Sequence, residues 1–255
     1  MEIDKTIFKT VKYFLFIFCF CFTNIATAQL SIYSGVTAGR NYHTFTVDDQ
    51  NGILQPGIGE ENTYGIPLRL AKGSWSFQTG VFSNNLTRAF YFKTPDGTQY
   101  GSEDDYESSI STLKIPFILS KEFKLINRVS IAPKAGIVWL TDQTKSDSTE
   151  VLSGTINEPN FVVVERVSNV VNKSKFLAQA GVDLNIYPFK YFLLTAGVSY
   201  NYGLQRIENT DVTYRLDGEE MTETLVSRGS GLHFQVGLRI PLVIMHGGHQ
   251  RVLFD

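Results

Sequence analysis

The stretch FLAQAGVDLNIYP, residues 176–188, alternates apolar and polar side chains along almost its whole length. The apolar series is Phe176, Ala178, Ala180, Val182, Leu184 and Ile186, and the series between them is Gln179, Gly181, Asp183 and Asn185. A period of two is typical of a β-strand with one apolar and one polar face. A soluble sheet turns the apolar face toward its core, whereas a membrane barrel turns that face toward lipid and keeps the polar face inside. The class of protein therefore depends on which face is the interior one.

Other stretches of the chain alternate in a similar way, and together they predict eight strands. We place these strands at residues 30–41, 62–71, 74–86, 109–123, 129–141, 174–187, 191–203 and 230–243. The connections are alternately short, at 72–73, 124–128 and 189–191, and long, at 45–61, 93–108, 142–173 and 204–229. Short turns at one end and long loops at the other are typical of outer-membrane barrels. The predicted fold class is all-β, an eight-stranded antiparallel up-and-down transmembrane β-barrel with short periplasmic turns and four long extracellular loops.

A soluble eight-stranded barrel of the lipocalin kind is the structural alternative, because its interior is also filled by alternate side chains. It would place the apolar face inward and bind an apolar ligand there. Two features favour the membrane barrel: the second face is rich in glycine and small polar residues, and aromatic residues collect near strand ends like interfacial girdles. These aromatic residues are Trp75, Phe90, Tyr91, Phe92, Trp139, Tyr187, Phe189, Tyr191, Phe192, Tyr200 and Tyr202. We therefore expect Phe176 to Ile186 to face lipid and Asp183 to face the lumen.

Charge is distributed unevenly along the chain. Outside residues 1–28 there are 23 acidic residues, and all but Glu122, Asp183 and Asp255 lie in the four long loops. Of the 20 lysines and arginines outside residues 1–28, only 7 lie in those loops. A barrel with acidic outer loops accounts for this separation. It also argues against a nucleic-acid partner, which favours a basic surface.

The first 28 residues have the three parts of a secretory signal peptide. These parts are a basic opening with Lys5, Lys9 and Lys12, the apolar core YFLFIFCFCF (13–22), and a cleavage site at Ala26-Thr27-Ala28. Both cysteines, Cys19 and Cys21, lie within this segment, so cleavage leaves a chain without thiols or disulfides. No later apolar stretch reaches the length of a transmembrane helix. We expect a cleaved signal peptide at 1–28, a barrel domain at 29–244 and a short periplasmic tail at 245–255, with the mature protein in the outer membrane.

Four segments carry an Ile-Pro step in a middle strand and repeated aliphatic-Ala-Gly sequences in later strands. They are TLKIPFILSKEF (112–123), VSIAPKAGIVWL (129–140), FLAQAGVDLNIY (176–187) and LLTAGVSYNYGL (193–204). The chain resembles, over residues 30–243, the Bacteroidetes-type outer-membrane β-barrel family, also called PorT-like. The resemblance implies a barrel in the outer membrane and carries no catalytic signature. The eponymous member is associated with a dedicated secretion system, so the resemblance also implies a role in an envelope or protein-export complex.

Several charged residues fall on the polar face of the predicted strands. They are Arg69, Lys114, Lys134, Asp183 and Arg239. Lys134 and Asp183 lie at similar heights on neighbouring strands, and an unpaired charge in a narrow lumen is costly. We therefore predict an ion pair between Lys134 and Asp183, either as a structural plug or as part of a proton or ion path.

Parts of the long loops have strand-like sequences of their own. Asp217-Gly218 separates two β-prone runs within 211–226, and Asp96-Gly97 does so within 90–100, which are hairpin signals. In the third loop, FVVVERVSNVV (161–171) is β-branched and apolar enough to pair with another strand. These loops are either solvated caps or a binding surface, because function concentrates on loops held by a rigid scaffold.

The sequence assigns no catalytic, cofactor-binding or metal-binding residue. His43 with the nearby Asp48 and Asp49 is the basis of a minor alternative, a hydrolase or acyltransferase at the rim. His246 and His249 in the tail provide two metal ligands without a third. The acidic clusters EDDYE (103–107) and DDQNG (48–52) lack the spacing of a calcium loop.

The predicted function is that of a non-enzymatic integral outer-membrane barrel without a cofactor. It would act through its acidic extracellular loops or as a component of an envelope or export complex. The expected partners are outer-membrane lipid and lipopolysaccharide, the barrel assembly machinery, and proteins of an envelope or secretion complex.

Overall fold

The structure is a computed structural model that describes residues 30–48, 52–88, 90–93, 97–100, 108–142, 148–150, 161–170, 174–189 and 192–245. The expected signal peptide at 1–28 and nearly all of the expected tail at 245–255 lie outside these residues. No helix in the described part of the chain is long and apolar enough to cross a membrane.

The described residues form fifteen strands. In chain order these are β1 (Leu30–Asp48), β2 (Leu54–Pro56), β3 (Ile58–Lys72), β4 (Trp75–Arg88), β5 (Phe90–Lys93), β6 (Gln99–Tyr100), β7 (Ser108–Lys121), β8 (Phe123–Ile126), β9 (Val129–Asp142), β10 (Ser148–Glu150), β11 (Phe161–Val170), β12 (Ser174–Phe189), β13 (Phe192–Gly203), β14 (Glu208–Leu216) and β15 (Glu219–Met245). Eight of them pair in the order β1-β3-β4-β7-β9-β12-β13-β15, and β15 pairs back with β1. The sheet is thus closed into an eight-stranded antiparallel barrel, as the sequence predicts.

The register shows how the strands are tilted. Starting at Lys175 on β12, the paired residues are Leu140, Lys114, Phe82, Gly65, Thr37, Gly237, Thr195 and finally Asn185. Following the paired residues once around the barrel therefore leads back to β12 at Asn185, ten residues beyond Lys175. A stagger of this kind requires the strands to tilt relative to the barrel axis.

The two ends of the barrel differ as predicted. At one end, which we call the short-turn end, β3 joins β4 through Gly73-Ser74, and the ends of the β1–β15 pair, Leu30 and Met245, also lie there. At the other end, the long-loop end, the connections contain β2, β5, β6, β10, β11 and β14. The eight predicted strands are confirmed in number and order, but β1 and β15 continue well beyond their predicted limits.

The faces of the barrel are those of a membrane protein. Outward-pointing apolar side chains are exposed, with Ile66 at 64%, Val236 at 61% and Phe117 at 44%. Inward-pointing Asp183 and Arg239, by contrast, are 5% and 2% exposed. A soluble lipocalin-like barrel needs an apolar interior, and this interior is polar. Phe176 and Leu184 point outward, and Asp183 points into the lumen, as the opening stretch predicts.

Aromatic side chains flank the apolar outer wall at both ends, but four of the predicted members are elsewhere. Trp75, Phe189 and Phe192 are exposed beside the short turns, and Phe176, Tyr200 and Tyr202 are exposed toward the long loops. The exceptions are Phe90, Tyr91 and Phe92 on β5, of which Phe90 and Phe92 are buried in a loop-derived core, and Tyr187, which points into the lumen. The β5 residues do not lie on the barrel wall, because β5 belongs to a separate sheet. Tyr187 points inward because it lies four residues after Asp183 on the same strand and therefore on the same face.

The long-loop end carries a folded structure that we call the extension. It comprises β2, β5, β6, β10, β11, β14 and the part of β15 before Gly229. β14 pairs with both β11 and β15, and β2, β5 and β6 form a separate three-stranded sheet. Asp217 and Gly218 form the turn of the β14–β15 hairpin with φ of 53° and 88°. Positive φ at both turn residues is the geometry that Asp-Gly favours, so this predicted hairpin is confirmed.

β15 passes from barrel to extension at a bulge. Here His43 of β1 faces Gly231, whereas Phe45 faces Ser227, so β15 contains extra residues opposite Thr44. Gly229 in this bulge has φ of 68°, a conformation that glycine adopts without strain. A bulge redirects a strand, and β15 here exchanges β13 for β14 as its neighbour.

Candidate functional site

The lumen contains a polar network at its short-turn end. Glu122 accepts hydrogen bonds from Arg69 Nη2 and Tyr187 Oη, both at 2.8 Å, and from the Ser130 hydroxyl. Arg69 is 4% exposed, so its charge is removed from water and is compensated by this carboxylate. The network joins β3, β9 and β12 to Glu122, the residue after β7, and it therefore links four parts of the wall.

The predicted Lys134–Asp183 pair lies in the middle of the lumen. Lys134 Nζ is 2.5 Å from Asp183 Oδ1, and Gln235 Nε2 donates to the same oxygen at 3.2 Å. Gly197 faces Asp183 from the next strand, and a Cβ there would overlap Asp183 Oδ1. The absence of a side chain at Gly197 thus provides the space that the carboxylate occupies.

Arg239 and Lys114 also point into the lumen, as predicted, but neither is paired with a carboxylate within hydrogen-bond distance. Arg239 Nη2 donates to Gln78 Oε1 at 2.9 Å. Lys114 Nζ is buried and has no hydrogen-bond partner among the described residues. The five charged lumen residues expected from the sequence are therefore all in the lumen, and two of them form the predicted pair.

Toward the long-loop end, His43 is part of a second polar network. Its Nε2 lies 2.6 Å from Glu61 Oε1, which also accepts from Asn41 Nδ2 at 2.8 Å. His43 is 3% exposed and points into the lumen. It does not lie on the outer rim where the enzyme alternative required it.

The carboxylate bonded to His43 belongs to Glu61, which was not among the acidic residues proposed to act with it. Asp48 lies at the end of β1 opposite Thr224 in the extension, and Asp49 is outside the described residues. Glu61 takes their place because β3 begins at Ile58, earlier than predicted, and its register with β1 turns Glu61 inward.

An apolar cluster lies inside the barrel on one side, toward the long-loop end. Ile118, Val138, Leu140 and Leu177 point inward from β7, β9 and β12, and Ile207 from the β13–β14 connection packs against them. This cluster was not expected, because Leu177 and its neighbours occupy positions in the polar series of their strands. Lys175, two residues before Leu177 on the same face of β12, is also buried, so polar and apolar side chains share this part of the lumen.

The extension has an apolar core of its own. It consists of Phe45, Ile53, Leu54, Phe90, Phe92, Val163, Val212, Tyr214 and Leu225. The ring of Phe92 contacts those of Phe90 and Tyr214 in edge-on geometry, with centroid distances of 5.8 and 5.1 Å. These residues come from all four long connections or from the strands that flank them, so the core joins the loops into one folded unit.

The outer surface of the extension is polar. At the tip of the β14–β15 hairpin, Asp217, Glu219 and Glu220 are exposed, and Glu220 forms an exposed ion pair with Arg215 at 3.0 Å. The predicted strand 161–171 is confirmed as β11, which pairs with β14 and β10. The predicted hairpin around Asp96-Gly97 is supported by the pairing of β5 with β6, although Asp96 itself is outside the described residues.

Concave regions of the described structure differ in size and position. A cavity of about 230 Å³ opens at the short-turn end beside Glu122, Lys124 and Arg128. A groove of about 630 Å³ lies on the outer wall, where Ala38 and Ala196 leave space between larger apolar side chains. Inside the lumen, the void beside Lys114 is only about 10 Å³. The groove of about 630 Å³ is thus on the lipid-facing surface, away from the lumen charges.

Two groups of sequence candidates lie outside the described residues. They are the histidines His246 and His249 and the acidic segment 103–107. Within the described ranges, no three His, Cys, Asp or Glu side chains are grouped closely enough to hold a metal ion.

No protein-family model matches the sequence, and no curated protein matches it. Among solved structures, the chain is similar to the outer membrane protein OprG from Pseudomonas aeruginosa, with a TM-score of 0.48 and 11% identity over 87% of this chain and 98% of that one. It is also similar to a major outer membrane protein from Thermus thermophilus, with a TM-score of 0.44 and 12% identity over 83% and 100% of the two chains. A third is the N-terminal β-barrel domain of Pseudomonas aeruginosa OprF, with a TM-score of 0.37 and 10% identity over 80% and 97%. At these levels of similarity, no conclusion about function follows from them.

Proposed function

We propose that this protein is a non-enzymatic outer-membrane barrel that displays the extension outside the cell as a rigid binding surface. The observation that carries the proposal is the apolar core of the extension, which holds the long loops in one fold directly above the barrel. Loops held by a rigid scaffold are the usual place for recognition. The exposed acidic tip at Asp217 to Glu220 is the part of this surface that we expect a partner to contact.

A role as a diffusion pore fits the interior poorly. An eight-stranded barrel is just wide enough to be filled by its side chains, and here buried Arg239, Lys134 and Asp183 occupy the middle of it. The apolar cluster around Leu140 and Ile207 fills a further part of the lumen toward the long-loop end. We therefore assign function to the surface of the extension rather than to transport.

A non-enzymatic role is supported by the position of His43. The enzyme alternative needed His43 at the rim with Asp48 and Asp49, but His43 is buried beneath the extension and bonded to Glu61. Each of the three carboxylates Glu61, Glu122 and Asp183 is already bonded to a neighbouring donor. The lumen groups thus act as internal braces.

The finer assignments rest on the sequence. The resemblance over 30–243 supports a PorT-like, Bacteroidetes-type barrel, and the pattern of residues 1–28 supports export by a cleaved signal peptide. The partners we propose are outer-membrane lipid and lipopolysaccharide around the wall, the barrel assembly machinery during insertion, and a protein of an envelope or secretion complex at the extension.

The first experiment locates the protein and orients it. Membrane fractions are run on paired gel lanes, one boiled and one unboiled, and an epitope is inserted in the turn at Asp217-Gly218. We expect an outer-membrane band whose migration changes on boiling, and labelling of the epitope on intact cells. The matched control is the same epitope at Gly73-Ser74, which should be labelled only after the outer membrane is permeabilised. A soluble periplasmic protein, or labelling at Gly73-Ser74 alone in intact cells, would refute the proposal.

A further inference from the structure

The groove on the outer wall lies between two rows of outward-pointing residues on neighbouring strands. Its floor contains Gly39, Gln235 and Gly197, which face one another across β1, β15 and β13. The side chain of Gln235 points into the lumen, so the floor consists of backbone. One row is Asn62, Arg40, Phe234, Val198 and Val182, and the other is Tyr64, Ala38, Val236, Ala196, Leu184 and Ile131.

The groove descends along the wall from the long-loop end. Tyr64 lies in the middle of β3, whereas Ile131 is two residues from Val129, where β9 begins beside a short turn. The row from Tyr64 to Ile131 crosses from strand to strand five times, which is about 24 Å at the usual strand spacing. In a barrel whose strands are tilted by about 40°, such a row descends about 15 Å. This is about half the thickness of the hydrocarbon core, the depth of one lipid leaflet.

The long-loop end of the groove carries exposed polar groups, which we call the Arg40 cluster. It consists of Arg40 on β1 and of Glu60 and Asn62 on β3, all of which point outward. Arg40 Nη2 donates to Glu60, and the guanidinium lies 5.7 Å from the ring centre of Tyr42. A guanidinium has five N–H donors, more than one carboxylate uses. The cluster therefore presents a cation and N–H donors beside carboxylate and amide oxygens.

Beyond the Arg40 cluster the groove is apolar. Half-buried Ala38 lies between Tyr64 and Val236, which are 58% and 61% exposed, so the small side chain leaves a depression between two larger ones. Ala196 lies in the same way between Val236 and Leu184. A site with a few polar groups at one end and apolar walls elsewhere is complementary to an amphiphile.

We propose that this groove binds lipid A, the phosphorylated glycolipid anchor of lipopolysaccharide, with one acyl chain in the groove and the head group on the Arg40 cluster. Arg40 donates to a phosphate in a charge-assisted hydrogen bond. Glu60 accepts from the sugar hydroxyls, and Asn62 bonds to the same sugars. This inference rests on the proposed function, which places the long-loop end in the outer leaflet, where lipid A is abundant. It adds a defined site for one lipid among those around the wall.

A titration in detergent micelles tests the site. The unmodified protein is titrated with diphosphoryl lipid A or with phosphatidylethanolamine, and native mass spectrometry measures the lipid-bound fraction. We expect saturable binding of one lipid A molecule and weaker binding of phosphatidylethanolamine. Equal affinity for the two lipids would overturn the assignment to lipid A.

Substitutions in the groove identify where the lipid binds. Ala38→Phe should weaken lipid A binding about tenfold or more, because the ring occupies the space of several methylene groups. Ala196→Leu fills the same groove from β13 and is included in case the first variant does not fold. The matched control is Ala135→Phe, at an exposed alanine on β9 outside the groove. Equal weakening by Ala135→Phe would overturn the proposed site.

The head-group contact has its own test. Arg40→Gln should weaken lipid A binding about tenfold, because a charge-assisted hydrogen bond to phosphate is lost. It should leave binding of dephosphorylated lipid A unchanged. The control is Arg215→Gln in the extension, since Arg215 is also exposed and ion-paired. Equal loss for the phosphorylated and dephosphorylated lipids would overturn the phosphate contact.

The titration can fail separately from the proposed function. Binding in micelles does not depend on the orientation of the protein in a membrane, whereas labelling of the epitope at Asp217-Gly218 does. A labelled epitope on intact cells, together with no binding of lipid A in micelles, would overturn this inference alone.

Discussion

Asp183 shows how a single charge is accommodated in so narrow a barrel. Lys134 neutralises it, Gln235 donates to the same oxygen, and Gly197 leaves the space for it. The three side chains Asp183, Lys134 and Gln235 lie on three different strands, so the carboxylate links β9, β12 and β15 across the lumen. The stability of this part of the wall therefore depends on the group of residues and not on any one of them.

The first prediction concerns the Lys134–Asp183 pair. Lys134→Met or Asp183→Leu alone should lower the free energy of unfolding by roughly 3–5 kcal/mol, because each leaves the other charge buried without its partner. The double variant should lose much less than the sum of the two. Urea unfolding in detergent micelles or lipid vesicles measures all three losses. If the losses add, the two charges do not interact energetically.

The second prediction concerns Gly197. The substitution Gly197→Ala should displace Asp183 from Lys134, because the new Cβ occupies the position of Asp183 Oδ1. We expect a loss of unfolding free energy of the same order as for breaking the pair, about 3 kcal/mol. Gly237→Ala is the control, since its Cβ meets mainly the Thr37 hydroxyl at 2.7 Å, which can rotate away. The same unfolding assay compares them, and equal losses would show that Gly197 has no special role.

At this scale the sequence predicts the inward direction of side chains better than their partners. The alternation of side chains between the two faces of a strand is a local property, and it correctly predicts that Arg69, Lys114 and Asp183 point into the lumen. The partner of His43 depends instead on the register between β1 and β3, which no local pattern contains. The sequence analysis places Glu61 in a loop, whereas in the structure it lies on β3 opposite Asn41. The contact between Glu122 and Tyr187 across the lumen could not be predicted from the sequence either, because it joins residues of two distant strands.

At the scale of strands, the later barrel strands were predictable from their two-residue period, and the first three, which alternate less regularly, from the succession of short and long connections between them. The strands of the extension were harder to predict from the sequence. Ile53 and Leu54 are consecutive and both buried, and β10 has only three residues, so neither shows alternation. The sequence predicted β11 through its β-branched residues, and it predicted the β14–β15 and β5–β6 hairpins through their Asp-Gly turns. How these strands pair is determined by a core assembled from distant parts of the chain.

The third prediction tests that core. Phe92→Ala should destabilise the extension by about 3–5 kcal/mol, since Phe92 is fully buried against Phe90 and Tyr214. The barrel should stay folded, because regions of a protein can open locally while the rest remains intact. Hydrogen exchange of residues 208–227 should accelerate while that of 231–242 stays slow. Half-buried Tyr91→Ala is the matched control on the same strand. Simultaneous loss of protection in both regions would show that they unfold as one unit.

For the whole molecule, the important property is that the apolar surface is outside. On β1 and β3 this surface ends toward the long loops at the exposed Arg40–Glu60 ion pair. Toward the short turns, Lys121 lies 5.4 Å from the ring centre of Trp75 and 5.3 Å from that of Phe123. Between these limits the wall is apolar, and its width corresponds to the strand segments that a bilayer requires.

The fourth prediction uses this surface to distinguish a membrane barrel from a soluble one. Val236 is 61% exposed near the middle of the wall. Val236→Arg should lower the free energy of unfolding in lipid vesicles by about 2–4 kcal/mol, because the arginine must lie in hydrocarbon. In a soluble protein, the same exposed substitution would change stability by less than about 0.5 kcal/mol. The control is Thr222→Arg in the extension, for which we expect almost no change, and a negligible effect of Val236→Arg would refute lipid contact.

The pairing of β1 with β15 has a mechanical consequence. The two strands close the barrel and continue, from Leu30–Met245 to Asp48–Thr224, into the extension. A partner that pulls outward on the extension therefore pulls along the direction of these strands. Such a force shears the backbone hydrogen bonds that join β1 to β3 and β15 to β13, so these bonds resist together rather than separating one after another from an end. The same pair of strands that closes the barrel would thus serve as the tether through which tension on the cell surface is transmitted to the membrane.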